Sequence, residues 1–242
     1  MAAANDGDLI FGKQRVSAAM DAFAKARNKM VDSQLRTDGV TDLDVLAVMG
    51  EVPREYFVPV DLKPLAYIDD DIHIKPGAEG TPARYLTEPA PFARLVQLAD
   101  VGKTDIALVI GCGSGYSAAV LARLADSVVA LESDPDLAQW ASEALIELGI
   151  DNAAVVNAPL EPGYPTEGPY DVILVDGAIE SVPDALRDQL KEGGRLVAVV
   201  GRGRSANAML YTRSNDEIGG RAAFNADVRP LPGFQKPPAF VF

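Results

Sequence analysis

The residues best suited to chemistry in this 242-residue chain are three alternating glycines, Gly111, Gly113 and Gly115, and a later acid, Glu132. Glycine lets a backbone turn tightly and approach a ligand closely, because it has no Cβ atom. A helix that begins after such a turn presents unpaired N–H groups in its first turn. An acid at the end of the next strand can accept hydrogen bonds from the hydroxyls of a ribose. The spacing therefore predicts a binding site for a ribose-bearing nucleoside cofactor.

The glycine pattern by itself leaves three interpretations open. Residues 113–118 fit the loose pattern G-x-G-x-x-G/A, which is typical of dinucleotide-dependent oxidoreductases. Residues 111–115 have the form G-x-G-x-G, which precedes an acid in the fold that binds S-adenosylmethionine, and we favour this interpretation. The third interpretation is a tight turn that binds no ligand, and the position of Glu132 argues against it.

The elements that must position this turn alternate along the second part of the chain. Apolar runs that read as buried strands are separated by amphipathic stretches that read as helices. The predicted strands are 106–110, 128–131, 153–156, 171–175 and 195–200, and the predicted helices are 117–124, 135–148 and 183–190. Apolar strands separated by helices are typical of a parallel sheet covered on both faces, hence of a doubly wound α/β fold. The stretches 209–212 and 239–242 are predicted to add antiparallel strands at one edge.

The first part of the chain, to about residue 99, is mixed and rich in turns. Apolar spacing predicts a helix over 16–35, and a second helix is expected to start near Thr41 and to end at Pro53. Residues 59–91 are rich in Pro, Gly and Asp and are predicted to form a long loop with at most one short strand. We divide the chain into an N-terminal helical and loop region, 1–95, packed on a core, 96–242.

Composition narrows the classes of function. The chain has 22 Lys and Arg against 35 Asp and Glu, and a net charge of −13 argues against nucleic-acid binding through phosphates. With one cysteine and one histidine, it can form neither an intrachain disulfide nor a site with several cysteine or histidine ligands. We therefore expect no metal and a reducing, cytoplasmic location. We also expect no membrane partner, because no apolar run approaches the ~18 residues of a span and the N-terminus lacks a basic signal-peptide region.

Several further motifs occur in one order over most of the chain. They are MVDSQLR at 30–36, VPREYFVP at 52–59, Ala66-Tyr67, the turn at 111–116, Glu132, PYD at 169–171 and Gly193-Gly194. In these motifs the chain resembles the protein-L-isoaspartate O-methyltransferase family. The resemblance implies a class I S-adenosylmethionine-dependent methyltransferase fold, which is Rossmann-like, with S-adenosylmethionine as cofactor. It also implies a protein or peptide carboxylate as acceptor, whose methyl ester closes to a succinimide and so allows damaged residues to be repaired.

The chain departs from the family pattern at two places. The family loop Gly-Gln-Thr-Ile-Ser-Gln-Pro corresponds to residues 83–89, where Thr87 keeps a hydroxyl at the serine position. By resemblance, Thr87 is the predicted catalytic residue that orients the acceptor. Arg84 takes the place of the first glutamine, and we expect it to be exposed, the alternative being that it binds a carboxylate. The family's Gly-Asp-Gly after the third strand corresponds to Asn157-Ala158-Pro159, which lacks the acid. A different acceptor, or a protein that binds the donor without catalysing, therefore stays open.

One more acid, Asp176, follows the fourth predicted strand, where ligands of such folds bind. It could contact the ammonium group of the donor or the acceptor. A metal-dependent O-methyltransferase would need a further acid after the fifth strand, where the chain has Gly201-Arg202. The predicted cofactor-binding residues are Gly111, Cys112, Gly113, Ser114, Gly115, Tyr116, Glu132, Asn157 and Asp176.

Overall fold

The computed structural model describes residues 20–235. Its strands are β1 (Ile72–Lys75), β2 (Arg84–Leu86), β3 (Ile106–Ile110), β4 (Ser127–Glu132), β5 (Ala153–Asn157), β6 (Tyr170–Ile179), β7 (Leu190–Val200), β8 (Asn207–Ser214) and β9 (Glu217–Asn225). Its helices are α1 (20–30), α2 (Leu43–Glu51), α3 (Pro89–Ala99), α4 (Tyr116–Leu124), α5 (Pro135–Glu147) and α6 (Asp184–Arg187).

Seven strands form one sheet in the order β5-β4-β3-β6-β7-β8-β9, in which the first five are parallel. Strands β8 and β9 extend it in antiparallel fashion. The predicted doubly wound, mostly parallel α/β fold is therefore confirmed. Successive strands run outward from β3 on one side and then cross to its other side. The crevice at the carboxyl end of β3 is thus the topological switch point, where such sheets bind ligands.

The local sequence explains the elements beside this crevice. Strand β3 is apolar along its whole length and its last four residues are buried, because helices cover both faces of the sheet. The side chain of Asp42 caps α2 by accepting from two backbone amides, and Asp134 caps α5 in the same way ahead of Pro135. Both helix starts agree with the sequence prediction.

The N-terminal part forms a layer in which α2 packs against helices α3 and α4. Helix α1 continues as a π-helical turn over Val31–Leu35, while residues 16–19 of the predicted helix lie outside the described part. The prediction of a long loop over 59–91 is wrong. That segment contains a 3₁₀ turn at Val60–Leu65, the antiparallel hairpin β1–β2 and the start of α3. Proline at the first helical positions is what allows α3 to begin inside this Pro-rich stretch.

Two expectations about the C-terminal part need correction. The predicted helix 183–190 is too long, because α6 has four residues and Leu190 already pairs with Tyr170 in the sheet. The edge hairpin is larger than expected: β8 covers the predicted stretch 209–212 and β9 was not predicted. The predicted strand 239–242 lies outside the described residues. The division at residue 95 stays a prediction. None of the helices within residues 20–235 has both the length and the apolar character that crossing a membrane requires.

Candidate functional site

The glycine turn joins β3 to α4 in a conformation that needs glycine. Gly111 and Gly115 have φ values of +80° and +103°, in the left-handed region that side chains disfavour. A Cβ at Gly111 would come within 2.7 Å of the Leu231 side chain, and one at Gly115 within 2.9 Å of the Cβ of Ala141. The turn is therefore pressed between the segment that carries Leu231 and helix α5.

The side chains of the turn point into the protein. The Ser114 hydroxyl donates a 2.6 Å hydrogen bond to the carbonyl of Phe57, and the Tyr116 hydroxyl lies 3.3 Å from the sulfur of Met49. Cys112 is buried, and burial raises the pKa of its thiol well above the ordinary value. These side chains anchor the turn to the N-terminal layer, so what the turn can offer a ligand is its backbone.

Glu132 ends strand β4 directly beside the turn, and its side chain is 0% exposed. The backbone amide of Gly113 donates to Oε2 at 2.8 Å, and the amide of Asp134 donates to Oε1 at 3.0 Å. A buried carboxylate requires such partners, because an unpaired charge in the interior is costly. The sheet edge thus holds this acid in one fixed orientation against the glycine turn.

Arg84 is the residue whose position differs most from expectation. The sequence predicts an exposed loop arginine, and this is wrong: Arg84 is 5% exposed. Its Nη1 donates to Oε1 of Glu132 at 2.6 Å, its Nη2 donates to Oε2 at 2.8 Å, and Nη2 also lies 3.2 Å from the carbonyl of Gly111. The alternative, that Arg84 binds a carboxylate, holds with the chain's own Glu132 as partner. Burial lowers the pKa of Arg84, but Glu132 more than offsets this effect, so the pKa lies above its ordinary value.

Further ion pairs hold the hairpin β1–β2, which carries Arg84, against the rest of the protein. The Lys75 ammonium lies 2.6 Å from a carboxylate oxygen of Asp134 and 2.7 Å from one of Asp136. Next to the hairpin, the Asp71 carboxylate accepts from Nε of Arg229 at 2.9 Å. The hairpin therefore lies across the end of β4 as a cover held by these ion pairs and by the buried side chains of Ile72, Ile74 and Leu86.

Thr87 follows β2 and reaches Asp176, which lies within β6 just past the part that pairs with β3, rather than after the strand as predicted. Its hydroxyl donates to Oδ1 of Asp176 at 3.1 Å, so the predicted acceptor-orienting residue and the predicted acid are in contact. Burial raises the pKa of Asp176, while the Thr87 hydroxyl and the Arg84 charge act in the opposite direction. Arg54 is not among the residues predicted from the sequence, yet its buried guanidinium donates to the carbonyls of Thr87 and Ala66, each at 2.9 Å. Arg54 thereby fixes the backbone that carries the Thr87 hydroxyl.

Asn157 lies at the end of β5, on the far side of Glu132. Its side-chain amide donates to the backbone carbonyl of Glu132 at 2.9 Å. The exposed side of Asn157 lines a cavity of about 510 Å³ that also includes Ser133 and Pro232. A second cavity of about 440 Å³, lined by Arg84 among others, shares Ser133 and Pro232 with the first. The two cavities therefore adjoin each other along the edge of the sheet beside Glu132.

The structure brings most predicted site residues to one edge of the sheet. Gly111, Gly113, Glu132 and Asn157 form one side of it, and the Thr87–Asp176 pair lies at the neighbouring strand end. Their roles in binding and catalysis stay predictions. Within residues 20–235, no three His, Cys, Asp or Glu side chains are grouped so as to hold a metal ion.

Comparison with known proteins gives consistent matches. Residues 25–228 match the model of the family described as protein-L-isoaspartate(D-aspartate) O-methyltransferase. A protein-L-isoaspartate O-methyltransferase of Methanoculleus marisnigri is 41% identical over 181 residues, which is 75% of this chain and 80% of that protein. The corresponding protein 1 of Syntrophobacter fumaroxidans is 40% identical over 195 residues, or 81% of this chain and 88% of that protein.

Solved structures agree with these matches. The fold is similar to a protein-L-isoaspartate O-methyltransferase with a TM-score of 0.74 and 27% identity, covering 86% of this chain and 66% of that one. It is also similar to a structure from Plasmodium falciparum described as a putative enzyme of the same kind in complex with S-adenosyl-L-homocysteine. That similarity has a TM-score of 0.70 and 23% identity, covers 85% of this chain and 97% of the other, and concerns the fold.

Proposed function

Because the chain belongs to the protein-L-isoaspartate(D-aspartate) O-methyltransferase family, we propose that it methylates isoaspartyl carboxylates of proteins with S-adenosylmethionine as donor. The observation that carries this proposal is the family match over residues 25–228. That range includes both the glycine turn with Glu132 and the segment with Thr87. The family match therefore includes both the predicted donor-binding residues and the predicted acceptor-binding residue.

The residues at the sheet edge fit a nucleoside donor. Once Arg84 leaves it, Glu132 offers a fixed carboxylate for the sugar hydroxyls, next to a turn at which Cβ atoms are absent. The cavity of about 510 Å³ beside Asn157 offers room for a base at the adjoining strand end. Asp176 and the backbone of the turn would hold the remaining, amino-acid part of the donor. The side chains of Ser114 and Tyr116 are bonded to the N-terminal layer. These two residues would therefore contact the donor through their backbone atoms only.

Methyl transfer to a carboxylate requires the protein mainly to position the donor and the acceptor. The donor, when bound, supplies a methyl group on a sulfonium, which passes to a carboxylate oxygen as the carbon–sulfur bond breaks and its electron pair returns to sulfur. A carboxylate whose ordinary pKa is about 4 is already ionised at neutral pH, so no side chain has to remove a proton. A chain whose single histidine, His73, is exposed on the hairpin can therefore catalyse this step by holding the two partners in line.

The contacts of Thr87 support its proposed role as the acceptor-orienting residue. Its hydroxyl is held by Asp176, and its backbone is held by the buried Arg54. A hydroxyl can donate to one group at a time, so Thr87 would turn from Asp176 to an acceptor carboxylate when one is present. Asp176 would then serve to keep the hydroxyl in place while the acceptor site is empty.

A second acceptor class is favoured by one specific observation. In the loop before α3, Arg84, Tyr85 and Glu88 replace the Gln, Thr and Gln of the family pattern, and Glu88 lies beside the acids Asp69 and Asp71. The acidic cluster of Glu88, Asp69 and Asp71 would favour a different acceptor, for example a carboxylate flanked by basic groups. Methyl transfer to defined peptides distinguishes the two acceptor classes.

Protein repair in the cytoplasm is the finer part of the proposal. Methyl esters of isoaspartyl residues can close to a succinimide, whose hydrolysis regenerates some ordinary aspartate, and this is the basis for proposing repair. The single cysteine, Cys112, is buried and unpaired, which suits a reducing compartment.

The test measures transfer of labelled methyl from S-adenosylmethionine to two synthetic peptides of the same sequence, one with isoaspartate and one with aspartate. We expect label in the isoaspartyl peptide and essentially none in its partner. Binding of S-adenosylhomocysteine, measured by calorimetry in parallel, reports on the donor site alone. Donor binding without transfer to the isoaspartyl peptide would contradict the acceptor assignment. Screening basic and acidic peptides with the same labelled donor would then show whether the second acceptor class applies.

A further inference from the structure

The carboxylate predicted to hold the donor's ribose is already fully engaged. A carboxylate has two oxygens with about four acceptor positions in all. In Glu132, Oε1 accepts from Arg84 and from the amide of Asp134, while Oε2 accepts from Arg84 and from the amide of Gly113. The two backbone donors belong to the sheet edge and its turn. Arg84 is the partner that can leave, so the sugar hydroxyls and the guanidinium compete for the same positions.

The hairpin that delivers Arg84 also covers the turn itself. Ile74 in β1 is buried, and its Cδ1 lies 3.1 Å from where a Cβ of Gly113 would be. The backbone surface of Gly113, which glycine leaves open to a ligand, therefore faces a side chain of the hairpin. Arg84 therefore contacts the acid, Glu132, and Ile74 contacts the glycine turn. These are the two groups that the sequence pattern predicts to bind the nucleoside.

The charged contacts of the hairpin other than Arg84 are weak. Apart from Arg84, its charged contact to the core is Lys75 with Asp134 and Asp136, and the Lys75 side chain is 29% exposed. Partly exposed ion pairs of this kind contribute little net stability. The pair of Arg84 with Glu132 is the buried charged contact of the hairpin, beside the buried apolar side chains of Ile72, Ile74 and Leu86. Exchanging it for two sugar hydroxyls leaves Glu132 satisfied and returns the guanidinium to water.

We propose that Arg84 is an internal competitor for the donor, so that the hairpin β1–β2 must withdraw Arg84 from Glu132 before the ribose can bind. The inference rests on the proposed function for the identity of the donor. Because the closed hairpin does not bind the donor, the apparent affinity is reduced by the fraction of molecules that are open. Loss of the guanidinium should therefore strengthen donor binding, although Arg84 lies in the site itself. A residue that merely lines the site would weaken binding when removed.

The test is calorimetric titration of the full chain with S-adenosylhomocysteine, which needs no turnover. Arg84→Gln installs the residue of the family loop, and we expect it to lower the dissociation constant at least about tenfold. Arg84→Lys keeps the charge without the two-pronged contact and should fall between Arg84→Gln and the parent chain. The matched control is Arg36→Gln, which removes an arginine charge from an exposed pair with Asp32 and should leave affinity unchanged.

A second measurement uses the unmodified chain and does not depend on how a variant folds. Hydrogen exchange at residues 72–86 should become faster on addition of S-adenosylhomocysteine, because the hairpin is displaced from the sheet edge. Ligands ordinarily slow exchange around their site, so this direction is diagnostic. Unchanged or weaker affinity in Arg84→Gln, or slower exchange at 72–86, overturns the inference while leaving the proposed function intact. Absence of binding in every form would overturn the proposed function, and the inference with it.

Discussion

The sheet and the hairpin that covers its edge are stabilised by different forces. Residues of β3 and β6 that face the core, such as Leu108 and Leu174, are apolar and 0% exposed. The hairpin β1–β2 joins the core through the buried apolar side chains of Ile72, Ile74 and Leu86, and it adds the ion pairs of Arg84 and Lys75. Apolar burial is insensitive to ionic strength, whereas pairs near the surface are screened by salt.

This difference indicates which part of the site moves. Regions with few buried apolar contacts open at lower free energy than the core of a sheet. The donor turn and Glu132 belong to the sheet edge, and Arg84 belongs to the hairpin, whose charged contacts can be weakened by salt or by a competing ligand. A site of this kind can keep its binding geometry fixed while access to it is controlled by charge.

The largest effect on stability is expected at Glu132, where the sheet and the hairpin meet. Glu132→Gln leaves Arg84 buried without a carboxylate, and removing one partner of a buried pair costs about 3–5 kcal/mol of unfolding free energy. Denaturant titration measures the loss. Combining Glu132→Gln with Arg84→Gln should recover most of it, because no buried charge is then unpaired. A loss below about 1 kcal/mol, the range of exposed pairs, would contradict the view that this pair closes the hairpin.

The next effect separates the two regions directly. Leu174→Ala, in the centre of β6, should lower the unfolding free energy by about 2–5 kcal/mol, since it leaves a cavity in a packed core. Lys75→Gln should cost less than about 1 kcal/mol. Denaturation at low salt and at about 1 M salt distinguishes their causes, because only the Lys75 effect should shrink in salt. Equal salt dependence of both variants would remove the distinction between sheet and hairpin.

The sheet and the hairpin also differ in how well the sequence predicts them. Strand β3, the glycine turn and the Asp134 cap follow from residues close together in the chain, and each was predicted near its observed position. The position of Arg84 depends on Glu132, which lies 48 residues away in sequence. No local pattern encodes such a pair. The residue type did carry a signal, because binding of a carboxylate was one of the two interpretations of Arg84.

The acceptor side was predictable to a smaller extent. The alignment of Thr87 with the family serine identified the hydroxyl, but its contact with Asp176 and the support from Arg54 are long-range. The hairpin and α3 were missed because Pro, Gly and Asp in 59–91 indicate a loop when they are counted without their positions. Pro89 instead begins a helix, and Asp71 accepts a hydrogen bond from the amide of Glu88 just ahead of it.

A smaller effect is expected on the rate of transfer. Thr87→Val keeps the shape of the side chain and removes the hydroxyl, so an orienting hydrogen bond to a charged acceptor is lost. Such a bond contributes about 1.5–3 kcal/mol, which corresponds to a fall in kcat/KM of roughly 10- to 150-fold. Thr87→Ser should retain most of the activity. Affinity for S-adenosylhomocysteine should be unchanged in both variants, and a parallel loss of donor affinity would instead place Thr87 on the donor side.

The smallest expected effect is the pH dependence of stability caused by Glu88, at the junction of the hairpin and α3. Partial burial, together with Asp69, Asp70 and Asp71, raises the pKa of Glu88 to about 7 from its ordinary value of 4.5, while Arg229 offsets part of the charge by pairing with Asp71. Between these two pH values the folded chain holds a proton at Glu88 that the unfolded chain has released. The contribution of Glu88 to the unfolding free energy therefore falls as pH rises through this window.

Glu88→Gln should remove that contribution. We expect the variant to unfold at higher denaturant concentration than the parent chain at pH 8 and at a similar concentration at pH 4.5, where Glu88 is protonated when folded. Glu143→Gln, at an exposed glutamate of α5, is the matched control. If Glu88→Gln shifts the midpoint equally at both pH values, its effect comes from packing rather than from charge. Repulsion among Glu88, Asp69, Asp70 and Asp71 would then not be part of what distinguishes the stability of the hairpin from that of the sheet.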